Sequence, residues 1–312
     1  MRDLLSVREL KADALTLLFE LADQLFELPR SECRQRLATK TLALMFFQPS
    51  TRTRLGFQRA GRACGADLLD FGAPEMSRSV SYCGETLKDA ANVVAQLADV
   101  LVIRHYDSQA LVEAARACGV PTINAGDGSN EHPTQAIADL WVLKRRLGSL
   151  AGASLGLIGD PGTRVLRSIA LAAPLVGIQR LRFLPSPDRR IPEDLSAVLA
   201  KANVVIEAGE HVEDLLASCE AVVLMPTEVA DLTAEPHSLT NAPAPASPPD
   251  RYRLTRARLA RYPDTWVLHP GPRHGELDPD TDDAMRNLML AQVGEGVVMR
   301  MAILHWVLGW PS

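Results

Sequence analysis

The chain has 312 residues, of which 47% are apolar and 23% charged, with a formal net charge of −5. Such a chain can bury a large core, and its length favours two domains over one. Lys and Arg are scattered among acids, so no basic field attracts nucleic acid or an anionic membrane, and neither is expected as a partner. The five cysteines (Cys33, Cys64, Cys83, Cys118 and Cys219) include no CxxC pair. Neither a disulfide framework nor a zinc site is indicated, and a reducing cytoplasm is the expected compartment. The first ten residues lack an apolar run of signal-peptide length, and no stretch approaches the ~20 apolar residues of a membrane span.

Apolar residues recur at helical spacing from Leu10 to Leu28, predicting an amphipathic opening helix. The run Thr41 to Phe47 reads as a buried strand. Further strand candidates at 99–103 and 121–124 alternate with helix-like segments, the pattern of a parallel sheet with crossover helices. Residues 1–135 are therefore expected to form one α/β domain. A helix at 133–146 leads into a second alternation, with strand candidates at 154–158, 180–183, 203–206, 221–224 and 265–268, giving a second domain over 136–284. Residues 241–250, NAPAPASPPD, hold prolines that forbid both helix and central strand and read as an exposed loop. The closing segment, 285–312, has the apolar density of a packed helix and is expected to return to the first domain. The fold class expected is α/β, two doubly wound parallel-sheet domains joined by interdomain helices.

Three segments concentrate chemistry. The first, Gln48-Pro49-Ser50-Thr51-Arg52-Thr53-Arg54, ends a strand and opens a helix. Hydroxyls and guanidinium groups at a helix N-terminus suit a phosphate, although Ser-Thr there also serves as a plain N-cap. The second, residues 124–135, is a Gly-rich stretch read as a flexible loop ending at a helix start, with His132 and Gln135; a structural histidine is the alternative. The third, Leu268 to Glu276, follows a strand C-terminus, where ligands of open α/β sheets sit. Its prolines flank Gly271 and fix a backbone carbonyl, or else form an ordinary turn.

With Ser50-Thr-Arg-Thr-Arg54, GETLKD from Gly84, Arg104 in VIRH, GDGSN and HPTQ from Gly126, HPGPR from His269 and VMRMA from Val298, the chain resembles the aspartate/ornithine carbamoyltransferase family. Within it the aspartate carbamoyltransferase catalytic chains are the most similar. The resemblance implies a two-domain α/β fold, a homotrimer with active sites shared between subunits, carbamoyl phosphate and a small amino acid as substrates, and no metal or organic cofactor. It further implies that Ser50, Thr51, Arg52 and Thr53 bind the phosphate, that Arg104, His132 and Gln135 hold the carbamoyl group, and that Ser79 is donated by a neighbouring subunit. The Gly271 carbonyl would accept a carbamoyl N–H, with Pro272 beside it at the acceptor. Arg52, Thr53, Arg104 and His132 would be catalytic, through stabilisation of the tetrahedral oxyanion and the departing phosphate.

The resemblance fails locally. Where the family places a lysine, an arginine and a glutamine on the distal carboxylate of aspartate, this chain has Cys83, Glu228 and Ala230. Gln48 replaces a glutamate that helps link the domains, and Thr233 falls near an arginine partner of that glutamate. Arg164, by contrast, matches the residue on the acceptor's α-carboxylate. Ornithine specificity is not favoured, because HCLP is replaced by HPGP. Carbamoyl transfer to an amino acid lacking the distal carboxylate, with Glu228 meeting an amine or hydroxyl, is the reading these losses favour. The alternatives are a catalytically inactive paralogue serving as a structural or regulatory subunit, and an ordinary aspartate carbamoyltransferase.

Overall fold

A computed structural model describes residues 2–71, 83–228 and 247–309. The chain divides into two compact units, the first built mainly from residues 1–135 and 295–312 and the second from residues 136–231 and 241–294.

The first unit opens with helix α1 (Ala12–Glu27), whose Leu15, Leu18, Leu21, Ala22 and Leu25 form one buried stripe. After a single turn, α2 (Arg30–Cys33), come strand β1 (Thr41–Phe46), helix α3 (Arg52–Cys64) and strand β2 (Asp67–Asp70). Helix α4 (Leu87–Val94), strand β3 (Val100–His105), helix α5 (Ser108–Cys118) and strand β4 (Thr122–Asp127) follow. The sheet runs β2-β1-β3-β4, all parallel. Residues of β1 and β3 (Ala43, Met45, Leu101, Ile103) pack on Ala90, Ala91, Leu111 and Ala114 of α4 and α5. The continuous apolar run of β1 is thus explained by burial on both faces.

Strand β2 was not expected from the sequence. Its DLLD stretch is short and lies at the sheet edge with Leu69 exposed, so it carries neither an apolar run nor a clean alternation. Residues 124–127, read as flexible loop, instead complete β4. Glycine and asparagine weaken strand propensity, but the ladder to β3 and the buried side chains of Asn124 and Asp127 outweigh it.

Helix α6 (Pro133–Leu147) runs across the division at 135/136 and introduces the second unit. There β5 (Ser154–Gly159), α7 (Arg164–Ala172), β6 (Arg180–Pro185), α8 (Glu193–Lys201), β7 (Val205–Ala208), α9 (Val212–Leu216), β8 (Ala221–Leu224), the single turn α10 (Arg256–Leu259) and β9 (Trp266–Leu268) form a parallel sheet of order β7-β6-β5-β8-β9. Ile158, Val222, Leu224 and Val267 pack on Val212, Leu215 and Tyr252. The last helix, α11 (Met289–Val307), begins at Met289 rather than 285, and its first six residues group with the second unit. The Pro-rich stretch 241–246 and positions Ser79, Ala230 and Thr233 lie outside the described residues.

A buried polar chain holds the turn after β9. His269 and Glu276 are fully buried side chains, with His269 Nε2 2.6 Å from Glu276 Oε1. The Gly271 N–H donates to His269 Nδ1 at 2.9 Å, so Nδ1 is the unprotonated nitrogen and Nε2–H is the donor to Glu276. The backbone N–H of His269 donates to Gln292 Oε1 at 2.7 Å, and Gln292 Nε2 donates to Asp139 Oδ1 on α6 at 2.8 Å. Burial alone would raise the Glu276 pKa, but the His269 N–H and the His274 backbone N–H hold it below its ordinary value of 4.5.

Two stability outcomes follow from these contacts. Gly65 ends α3 with φ +87°, and a Cβ there would lie 1.9 Å from the Arg34 carbonyl oxygen. Gly65→Ala should cost about 3 kcal/mol or more in chemical denaturation, against about 1 kcal/mol for Gly148→Ala, where the added methyl meets open space. A depressed Glu276 pKa means that the ionised form is the one the fold stabilises. That contribution is complete above about pH 4.5 and is lost as pH falls through the folded-state value. Glu276→Gln should therefore unfold more easily than wild type at neutral pH, by about 1–3 kcal/mol, with the difference shrinking below pH 4.5 in denaturation curves.

Candidate active site

In the first unit the connection after β1 leads to β2 on one side of the sheet and the connection after β3 leads to β4 on the other, so the order reverses between β1 and β3. That switch point, beyond the strand C-termini, is where ligands of open parallel sheets bind. Ser50, Thr51, Arg52 and Thr53 follow β1 there, and Arg104 is the fifth residue of β3. Helix α3 starts at Arg52, with Thr51 at its N-cap. The Thr51 side chain makes no capping bond, so the plain N-cap reading does not hold, and the helix N-terminus keeps its partial positive charge directed outward. Thr51 is exposed and Arg52 half-buried, whereas Thr53 is buried.

Thr53 points to the second cluster. Its hydroxyl lies 3.2 Å from His132 Nε2, and Thr134 Oγ1 lies 3.3 Å from His132 Nδ1. The imidazole is buried and oriented by a hydroxyl at each nitrogen. Gln135, at the start of α6, accepts from the buried Arg300 guanidinium at 3.3 Å. Arg300 stacks over the Phe57 ring, its centre 5.7 Å away, and a Cβ at Gly56 would come within 3.0 Å of Arg300 Nε. The glycine in α3 therefore leaves room for the arginine. The sequence reading placed Val298 to Ala302 only in a motif, and singled out neither Arg300 nor Gly56. The signal was a lone arginine in a largely apolar helix.

Arg104 Nη1 donates to the Ala125 carbonyl at 3.5 Å, tying the end of β3 to β4. The turn that carries His132 is braced by its own acids. Asp127 Oδ1 accepts from the Glu131 backbone N–H at 2.6 Å, and Asp127 Oδ2 accepts from Asn130 Nδ2 at 3.1 Å. Burial raises the Glu131 pKa above its ordinary value, against donors from Ser6 and Val7 that lower it.

In the second unit the order reverses between β5 and β8, and the acceptor candidates Arg164 and Glu228 follow those strands. Arg164 is the first residue of α7 and is buried, in a turn held by the Gly162 N–H to Asp160 Oδ1 at 2.8 Å and by the Thr163 hydroxyl to the Asp160 carbonyl at 2.8 Å. Glu228 lies four residues past β8 and is exposed. Gly271 and Pro272 are in the turn fixed by His269, with φ +72° at Gly271. Cys83 is exposed in the first unit. Asp214 caps α9, its Oδ2 accepting from the His211 N–H at 2.9 Å. Among the described residues no group of three His, Cys, Asp or Glu side chains could hold a metal ion, and no helix is long and apolar enough to cross a membrane.

Comparison with known proteins agrees with this geometry. Residues 2–145 match the carbamoyl-P binding domain of aspartate/ornithine carbamoyltransferases, and residues 151–307 match their Asp/Orn binding domain. The chain is 32% identical to an aspartate carbamoyltransferase catalytic subunit of Methanopyrus kandleri, over 99% of this chain and 97% of that one. It is 34% identical to that of Sorangium cellulosum, over 98% and 92%. The aspartate transcarbamoylase of Trypanosoma cruzi, solved in complex with aspartate and phosphate, superposes with a TM-score of 0.84 at 26% identity, covering 98% of this chain and 95% of that one. A structure of the same enzyme with carbamoyl phosphate and aspartate gives 0.83 at 26% identity, covering 98% and 96%. With both family domains matched along nearly its whole length, the chain is a carbamoyltransferase of the aspartate/ornithine carbamoyltransferase family.

Proposed function

We propose that the protein transfers the carbamoyl group of carbamoyl phosphate to the α-amine of aspartate. The observation that carries the donor half is the Thr53–His132 contact at the open N-terminus of α3, with Arg52 and Arg104 at the same switch point. Ser50, Thr51, Arg52 and Thr53 take the phosphate, and Arg104, His132 and Gln135 the carbamoyl group. In the reaction a neutral amine nitrogen bonds to the carbonyl carbon, the carbonyl oxygen gains negative charge, and the carbon–oxygen bond to phosphate breaks as that oxyanion collapses. The proton shed by nitrogen passes to the leaving phosphate. Preorganised donors from Arg104, His132 and Thr53 stabilise the oxyanion, and Arg52 the phosphate. On the acceptor side Arg164 takes the α-carboxylate, with Gly271 and Pro272 beside the transferred group.

For the acceptor, the comparisons reverse the preference drawn from the sequence. The named relatives and the T. cruzi complexes favour the ordinary aspartate enzyme over an acceptor without a distal carboxylate, and over an inactive paralogue. Cys83 and Glu228 are exposed, and Ala230 is outside the described residues. The homotrimer with shared sites, in which Ser79 would serve a neighbour, is part of the same proposal.

Phosphate release from carbamoyl phosphate, measured with aspartate, ornithine, 2,3-diaminopropionate and serine in parallel, tests both halves. Aspartate should give the fastest release, and Arg52→Ala should lower it by ~10²-fold or more. Release with the diamino or hydroxy acids alone would return the acceptor to one lacking a distal carboxylate. An Arg52→Ala variant with wild-type turnover would remove the donor assignment, and silence with every amine would mark an inactive paralogue.

A further inference from the structure

The segment before α1 does not trail free. Leu4 adds a parallel bridge to β4, with its N–H on the Thr122 carbonyl at 2.9 Å and its carbonyl accepting from the Asn124 N–H at 2.9 Å. Asp3 Oδ1 accepts from the Thr122 N–H at 2.8 Å, and the Leu5 carbonyl accepts from Asn124 Nδ2 at 2.8 Å. Leu4 and Val7 are buried, so the strap is seated by apolar side chains as well as by backbone bonds. Beyond that ladder it reaches the turn that carries His132. The Ser6 hydroxyl donates to Glu131 Oε1 at 2.5 Å, the Val7 N–H donates to Glu131 Oε2 at 2.8 Å, and Arg8 Nε lies 3.6 Å from Oε1.

Glu131 is 1% exposed, a costly place for a carboxylate unless its oxygens are satisfied. Its backbone is fastened at the same time, because its N–H bonds Asp127 Oδ1 at 2.6 Å and its carbonyl accepts from the Asp127 N–H at 3.1 Å. The next residue is His132, whose ring nitrogens meet Thr53 and Thr134. A residue clamped through both side chain and backbone leaves its neighbour little freedom to shift. Displacement of about 1 Å at a reacting group can cost ~10²-fold in rate.

We propose that Glu131 is a positioning residue for His132, and that the N-terminal strap Asp3 to Arg8 is the anchor against which it acts. This rests on carbamoyl transfer as proposed above. The strap bonds described above run to β4 and to Glu131 rather than to Ser50–Thr53, so the effect belongs in turnover rather than in phosphate affinity.

The test compares Glu131→Ala and Glu131→Gln with wild type, by turnover with aspartate, by calorimetric binding of inorganic phosphate, and by the 15N resonances of the His132 imidazole. The Glu131→Gln side chain keeps an acceptor for the Val7 N–H and presents an amide to the Ser6 hydroxyl, which has lone pairs to receive it. Glu131→Ala should lose about 10-fold or more in kcat, with phosphate affinity unchanged and the His132 resonances moved, and Glu131→Gln should stay within about threefold of wild type on every readout. The proposal is overturned if Glu131→Ala keeps wild-type kcat with unmoved His132 resonances. It is equally overturned if both variants lose phosphate affinity together, since that is general loosening of the unit. A wild-type protein that turns over no amine refutes the transfer reaction instead, and the His132 resonances then decide the role of Glu131 alone.

Discussion

The chemistry of the first unit depends on one constraint, the reversal of strand order between β1 and β3. A parallel sheet sends its crossovers to opposite sides at such a point, and the helix that follows the central strand opens with its first N–H groups unclaimed. Helix α3 opens this way, without a side-chain cap from Thr51. A dianion placed there meets the helix terminus, the hydroxyls and the arginines without any loop having to fold around it. Under the proposed reaction, the carbonyl beside that phosphate would meet donors from Arg104, near the end of β3, and from His132.

Each unit also contains buried polar groups, which is unusual enough to need explanation. Asp127, Glu131, Gln135 and Arg300 in the first unit, and Asp139, His269, Glu276 and Gln292 in the second, are all nine-tenths or more buried. Each has a hydrogen-bond partner. An apolar core would fold as readily, but could not fix the rotation of an imidazole or the orientation of a carbonyl. In the second unit the consequence is a defined tautomer. The Gly271 N–H occupies His269 Nδ1, so the proton resides on Nε2 against Glu276.

Much of the architecture was legible because burial on both faces forces apolar runs, and β1, β3, β5 and β8 all carry them. Strand β2 was not legible, since a short edge strand of two leucines between aspartates has no pattern that a loop could not share. The Gly-rich stretch before His132 misled for the opposite reason. Its composition says loop, but the N-terminal strap and the β3 ladder hold residues 124–127 in a strand, and sequence-distant partners such as Leu4 leave no local trace. Ser50 to Thr53 and His132 were singled out from the sequence by motif and resemblance. Arg300 and Glu131 were missed as working parts, because a single charge within a largely apolar helix or beside a motif acquires meaning only from what it touches. The acceptor pocket shows the converse limit. Three substitutions at matched positions suggested a changed substrate, while the chain as a whole resembles enzymes of aspartate.

The central claim is that carbamoyl phosphate is held at the start of α3 with its carbonyl toward His132. A crystal structure of the protein with carbamoyl phosphate tests it most directly. Phosphate density against Ser50 to Thr53, with the carbonyl oxygen within hydrogen-bond distance of Thr53, Arg104 and His132, is the expected result. Density elsewhere in the chain, or an empty α3 N-terminus at saturating ligand, would contradict it.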